Sequence, residues 1–230
     1  MCNGSIMDKL ISFSLPLMVS GILQLAFNAV DIIVVGRFSG SQALAAVGST
    51  TALINVFTNL FIGISLGANV LAARFYAAGK DREMSETVHT SITLALISGI
   101  MMAVIGVLLA KWALEIMGTP DDVIGQSALY MRIYFMGMPF FMLYNYGAAI
   151  LRAIGDTKRP LIFLIISGIA NAALNMILVI LFHMGVAGVA IGTIISQLIS
   201  CVLVLTCLYR SEGSYQLRFS KLKINGAYME

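Results

Sequence analysis

The chain has 230 residues, of which 59% are apolar and 11% charged, and its formal net charge is +3. An ordinary soluble domain carries roughly 45–50% apolar and about 25% charged residues, so a water-soluble globular fold is excluded: there is too little polar surface to cover the apolar side chains. With a mean hydropathy of +0.94, this is the composition of a membrane protein.

The first apolar run extends from Leu10 to Val35. It is too long for a signal-peptide core and no small-residue cleavage site follows it, so it reads as a span that is kept. Further runs follow at Thr50–Ala73, Ser91–Leu114, Tyr130–Leu151, Leu161–Phe182 and Val186–Leu208, each near the roughly 20 residues that a helix needs to cross a bilayer. They lack strand alternation and are about twice the length of a barrel strand. The expected fold is therefore an all-α membrane protein, a bundle of about six transmembrane helices. Turn chemistry marks the connections at Gly36–Ser41, Gly79–Arg82, Thr119–Asp122, Gly155–Pro160 and His183–Gly185. Pro120 and Pro160 sit where a helix begins.

Basic residues set the orientation. With the connections numbered alternately, Lys9, Arg74, Lys80, Arg82, Arg152, Lys158, Arg159, Arg210, Arg218, Lys221 and Lys223 fall on one side. Arg37, Lys111 and Arg132 fall on the other. The rich side is expected to be cytoplasmic, with both termini inside a multi-pass protein of the cell (plasma or inner) membrane. Retention of loops explains the positive charge without nucleic acid. The organisation is a cytoplasmic segment 1–9, a transmembrane lobe 10–210 and a basic cytoplasmic tail 211–230, whose Leu217, Phe219, Leu222 and Ile224 suit the inner leaflet.

Cys2, Cys201 and Cys207 have no disulfide or metal-ligand spacing and read as small apolar packers. His89 and His183 lie at span edges and read as surface or cap residues. The 14 methionines suit packing, or the wall of an adaptable pocket.

Asp31 interrupts the first run. One role is an interfacial carboxylate paired with Arg37. The other rests on its neighbours: Gln24, Asn28 and Asp31 are spaced i, i+4, i+7 and share a helical face. A carboxylate facing lipid costs roughly 2.5–3.5 kcal/mol, so this face should turn to protein or to a water-filled cavity. Matching polar faces occur in span two (Asn55, Asn59), span five (Asn171, Asn175) and span six (Thr193, Ser196, Gln197, Ser200). Singly these are interhelical hydrogen-bond partners; together they can build a polar chamber around one carboxylate. Desolvation favours the neutral acid and a nearby cation favours the carboxylate, so such a group can exchange a proton or sodium for a cationic substrate. Pro16 removes a backbone hydrogen bond within span one and should bend it. Gly63 with Gly67, and Gly188 with Gly192, form small-xxx-small faces suited to close helix packing.

Enzyme chemistry is not expected. Gly63-Ile64-Ser65-Leu66-Gly67 matches a nucleophile-elbow pattern but lacks the strand–turn–helix context and a placed base. No cofactor or metal motif is present.

These residues carry a resemblance. Leu15-Pro16, Val30–Gly48, Gly63–Lys80, Leu151–Pro160 and Asn171–Asn175 resemble the amino-terminal lobe of the multidrug and toxic compound extrusion (MATE) family, ion-coupled exporters within a wider group of flippases and polysaccharide exporters. The resemblance implies a coupling site for H+ or Na+ at Asp31, Asn171, Asn175 and Thr193, with Pro16 at the helix bend and Na+, if used, at Asp31. Position 175 is an acid in some relatives and Asn here. Gln24, Asn28, Asn55, Asn59 and Gln197 are the candidate cavity-lining residues. Family members have two six-helix lobes related as parallel repeats, and this chain matches one. The expected function is one lobe of an antiporter that exports organic cations or drugs and needs a second lobe or copy. The alternatives are a non-transporting fragment or membrane assembly partner and, more remotely, a flippase or polysaccharide-exporter relative.

Overall fold

The structure, a computed structural model, describes residues 6–218, which are helical apart from short connections and the final residues 211–218. Its elements are α1 (Ile6–Phe38), α2 (Gly40–Ala77), α3 (Asp81–Ile116), α4 (Asp121–Met136), α5 (Met138–Ala153), α6 (Lys158–Met176) and α7 (Gly185–Arg210). A short π-helical stretch, Ile177–Leu181, continues α6. Helices α1, α2, α3, α6 with its extension, and α7 are long and apolar enough to cross a membrane. Cys2, Phe219, Lys221, Leu222, Lys223 and Ile224, and the side chain of Lys9, lie outside the described residues.

Most helices outrun their apolar windows. Helix α2 starts at Gly40 rather than Thr50, and α3 at Asp81 rather than Ser91, because polar end turns are still good helix. Gly79 closes α2 in the left-handed region at φ +65. There its N–H bonds to Tyr76 O at 3.2 Å and the Lys80 N–H to Phe75 O at 3.0 Å, the six-to-one and five-to-two pattern that suits glycine.

The fourth expected span, Tyr130–Leu151, is not one helix. It is divided between α4 and α5, which meet at Gly137. Pro139 stands at the start of α5 and has no N–H to donate to the preceding turn. The Gly137 N–H turns back to Tyr134 O at 3.0 Å instead, and Gly137 O accepts from Phe140 and Phe141 at 3.1 Å.

Helix α5 is the hub. Every residue from Met142 to Leu151 is buried, as expected of a helix apolar on all sides, and α2, α3 and α7 pack around it. Missing side chains allow the approach: a Cβ on Gly99 would come 2.6 Å from Pro139 Cα, and one on Gly147 would come 2.9 Å from Val204 Cγ2. Met84, Met131, Met138 and Met142 are fully buried among these helices. Of the expected packing faces, Gly188 and Gly192 do pack on neighbours, but Gly63 and Gly67 have nothing within 4 Å. That glycine face is turned outward, contrary to expectation.

Helix α1 is attached differently. Val34 and Val35 enter a smaller core with Ala43 and Val47 of α2 and with Val186 and Val189 of α7. Before Val34, Pro16 is the one described side chain of α1 that is buried. The helix runs unbroken through Pro16, whose carbonyl accepts a hydrogen bond from Ser20 Oγ at 2.7 Å.

The basic ends of α2, α3, α5, α6 and α7 come together. Residues 211–218 fold back there, with Leu217 fully buried and its N–H on Leu208 O at 3.0 Å. His89, expected at a span edge, is only 4% exposed. Its Nδ1 meets Ser85 O at 2.6 Å, and its Nε2 accepts the Arg218 N–H at 3.0 Å. The added turns of α3 place it inside the helix. Cys201 and Cys207 are free thiols, buried and half-buried.

Helix α3 meets α4 at Gly106, where a Cβ would run into the Phe135 ring, whereas a Cβ on Gly63 meets open space. Gly106→Ala should cost roughly 1–3 kcal/mol, as overpacking does, and lower the thermal midpoint in detergent. Gly63→Ala should leave it unchanged.

Candidate functional site

The site forms where α1, α6 and α7 converge. Asp31 stands one turn before the Val34–Val35 anchor, which fixes its position although most of α1 is loosely held. On α6, the i, i+4 spacing of Asn171 and Asn175 stacks two amides on one face. Asn175 Nδ2 donates to Asp31 Oδ1 at 2.5 Å and shares Asn171 Oδ1 at 3.3 Å. Asn171 Nδ2 donates to Thr193 Oγ1 at 3.4 Å, and the Thr193 hydroxyl donates to Val189 O at 2.9 Å. A continuous chain of hydrogen bonds thus joins the carboxylate to α6 and α7.

Two glycines create the room. A Cβ on Gly192 would overlap Asn175 Oδ1, and one on Gly168 would overlap the Phe27 ring. The first lets α7 back directly onto Asn175; the second lets α1 lie against α6. Asn175 is wholly buried, and its Oδ1 has no donor among the described residues. Immediately beyond it α6 loosens into the π-helical stretch, where Phe182 N–H reaches Ile177 O at 3.3 Å. Such stretches recur at functional sites.

A cavity of about 320 Å³ opens beside this chain of bonds. Asp31, Asn171 and Thr193 line it, and so do all the candidate lining residues: Gln24, Asn28, Asn55, Asn59 and Gln197. Gln24, Asn28, Asn55 and Asn59 are exposed, so their amides form an open polar wall on otherwise apolar helices. Asn175 lies behind the wall, reached through Asp31 and Asn171. The carboxylate therefore pairs with Asn175, while the described ion pairs leave Arg37 out. Among the described residues no methionine lines the cavity; Met84, Met102, Met131, Met138 and Met142 pack in the core, whereas Met7, Met18, Met101, Met117, Met136, Met176 and Met184 are exposed.

The sequence reading missed several lining residues: Tyr130, Tyr134, Phe27, Thr51, Thr58 and Asn145. The rings of Tyr130 and Tyr134 lie 6.2 Å apart, and their i, i+4 spacing is the signal that marks them. Asn145 carries no such signal, and its Nδ2 is engaged by Phe141 O at 2.8 Å.

The donor set around Asp31 is carboxylate, amide and hydroxyl oxygen, chemistry that takes a proton or a hard cation. Among the described residues no group of three or more His, Cys, Asp or Glu gathers to hold a transition metal.

The MatE family profile matches residues 16–177. The chain belongs to the MatE family. It is 35% identical, over 91% of its length, to the probable multidrug resistance protein YoeA of Bacillus subtilis strain 168, and covers 46% of that protein. It is 24% identical to the FAD transporter of Shewanella oneidensis strain MR-1, over 83% of this chain and 43% of that one. The fold matches a crystal structure of MATE in the bent conformation with a TM-score of 0.89 and 21% identity, covering 98% of this chain and 50% of the other. This MatE chain thus spans about half the length of the curated relatives it matches.

If the Asn175–Asp31 bond ties α1 to α6, Asp31→Ala and Asn175→Ala should be non-additive in unfolding free energy, with a coupling of about 1–2 kcal/mol. Additivity within about 0.5 kcal/mol would mean that the two side chains act independently.

Proposed function

We propose that this chain is the ion-coupling lobe of a secondary antiporter that exports organic cations in exchange for H+ or Na+. The observation that carries the reading is the chain of bonds from Asp31 through Asn175 and Asn171 to Thr193, set beside an open polar cavity at membrane depth. The relatives' names, multidrug resistance protein and transporter, support the same class of activity. The lobe sits in the cell membrane with its basic end and both termini on the cytoplasmic side, as the loop charges favour.

The mechanism rests on differential affinity. Proton and cation compete for one carboxylate, so loading either changes the charge between α1 and α6. The Asn175 amide donates best to a carboxylate anion; a protonated Asp31 accepts more weakly and releases α1 from α6. A cation bound at Asp31 leaves the carboxylate ionised but offsets its charge and claims the same oxygens. A ligand moves a conformational equilibrium only by what it gains in one state over the other, and this bond is where the states differ. Pro16 weakens α1 on the far side of the site, so a change at Asp31 can swing the loosely held part of the helix. The polar wall of Gln24, Asn28, Asn55 and Asn59 is one side of a substrate path. Alternating access by rocking lobes needs the opposite side, from a second lobe or a second copy.

Ion-driven dye export in proteoliposomes tests this. The lobe supplied with a second lobe should export dye against an imposed H+ or Na+ gradient. Asp31→Asn should lose at least about tenfold of that export, the loss of roughly 1.4 kcal/mol of coupling, while remaining folded. Unchanged gradient dependence in Asp31→Asn, or full export by a demonstrable monomer, would contradict the reading.

A further inference from the structure

We propose that Arg152 is a phosphate-binding group at the basic end of the lobe, taking the headgroup of an anionic phospholipid. Among the described side chains, every other lysine and arginine is exposed, and Arg152 alone is half-buried. Its Nε is enclosed and has no hydrogen-bond partner. The described ion pairs pass it by. Arg159 nearby is held by Asp156 at 3.2 Å and Arg82 by Glu86 at 3.0 Å, so these two acids at this end are engaged elsewhere. The polar side chain beside it, Tyr144, donates its hydroxyl to Pro160 O at 3.1 Å and supplies no charge.

A sheltered guanidinium without a counter-ion is costly, the more so at the edge of a bilayer. Burial that a sequence can avoid by one substitution implies that an anion completes the site. The planar fork of a guanidinium matches two oxygens of a phosphate. Position favours a lipid as the source. Arg152 lies in the last turn of α5, with exposed Lys158 opening α6 across a short loop. Headgroup phosphates sit at this depth, and basic pockets between helix ends are where anionic lipids bind. From the same loop α6 rises with Ile162, Ile166 and Ile169 exposed along one side, an apolar track for an acyl chain.

The test is native mass spectrometry of the full chain released from nanodiscs of phosphatidylcholine with a minor fraction of phosphatidylglycerol. Wild type should retain a phosphatidylglycerol that Lys158→Gln keeps and Arg152→Gln loses. Arg152→Lys, which preserves the charge but not the fork, should hold it more weakly than wild type. A second measurement needs no variant: dicarbonyl labelling of Arg152 in wild type should be several-fold slower in discs containing phosphatidylglycerol than in phosphatidylcholine alone. Equal labelling in the two lipids, or equal retention by Arg152→Gln, overturns the proposal. Protection by inorganic phosphate in pure phosphatidylcholine would assign the site to free phosphate rather than lipid. Protection there without added phosphate would assign Arg152 to the phosphodiester of phosphatidylcholine or to a protein carboxylate, not to an anionic lipid. Either result also overturns it.

Discussion

The amide that Asn175 extends to Asp31 holds the first helix of this lobe in place. Helices α2, α3, α4, α5 and α7 share a large apolar core around α5, which is buried along its whole middle, with polar ties such as Asn69 Nδ2 to Ala149 O at 2.8 Å between α2 and α5. Helix α1 has no such support. It contributes Val34 and Val35 to a small core and leaves Leu15, Met18, Ile22 and Leu25 exposed. In lipid, apolar side chains gain little by leaving their surroundings, so apolar contact alone fixes α1 weakly. A hydrogen bond to a carboxylate is directional and, away from water, hard to replace. It therefore decides where α1 sits against α6.

The space for that bond comes from residues that contribute no side chain. Gly168 admits the Phe27 ring and Gly192 admits the Asn175 amide, so three helices can converge on one carboxylate. The cost is an acceptor, Asn175 Oδ1, that lacks a partner. A static scaffold would be better served by satisfying it.

Much of this was legible in the sequence because helical periodicity is rigid. Once Leu10–Val35 reads as helix, Gln24, Asn28 and Asp31 must share a face, and the Asn171–Asn175 and Asn55–Asn59 spacings work the same way. All but Asn175 line one cavity, and Asn175 lies behind it on Asp31. What periodicity cannot convey is the partner across 144 residues, or which of two glycine pairs faces a neighbour. Hydropathy windows average over a turn or more. They merged α4 and α5 across Gly137, where the missing Pro139 N–H decides the outcome, and they cut α3 short. The shortened helix left His89 at an edge. The full helix buries it under residues 211–218, a contact that has no local signature.

The central claim is that Asp31 is the group that a proton and a coupling cation contest. Infrared difference spectroscopy of the purified chain reads it directly. Lowering the pH should produce the carbonyl band of a protonated carboxylic acid, adding Na+ at fixed pH should diminish that band if sodium is the coupling ion, and Asp31→Asn should remove it in either case. The same band persisting in Asp31→Asn, or no carboxylic band responding to pH in the wild type, would contradict the account.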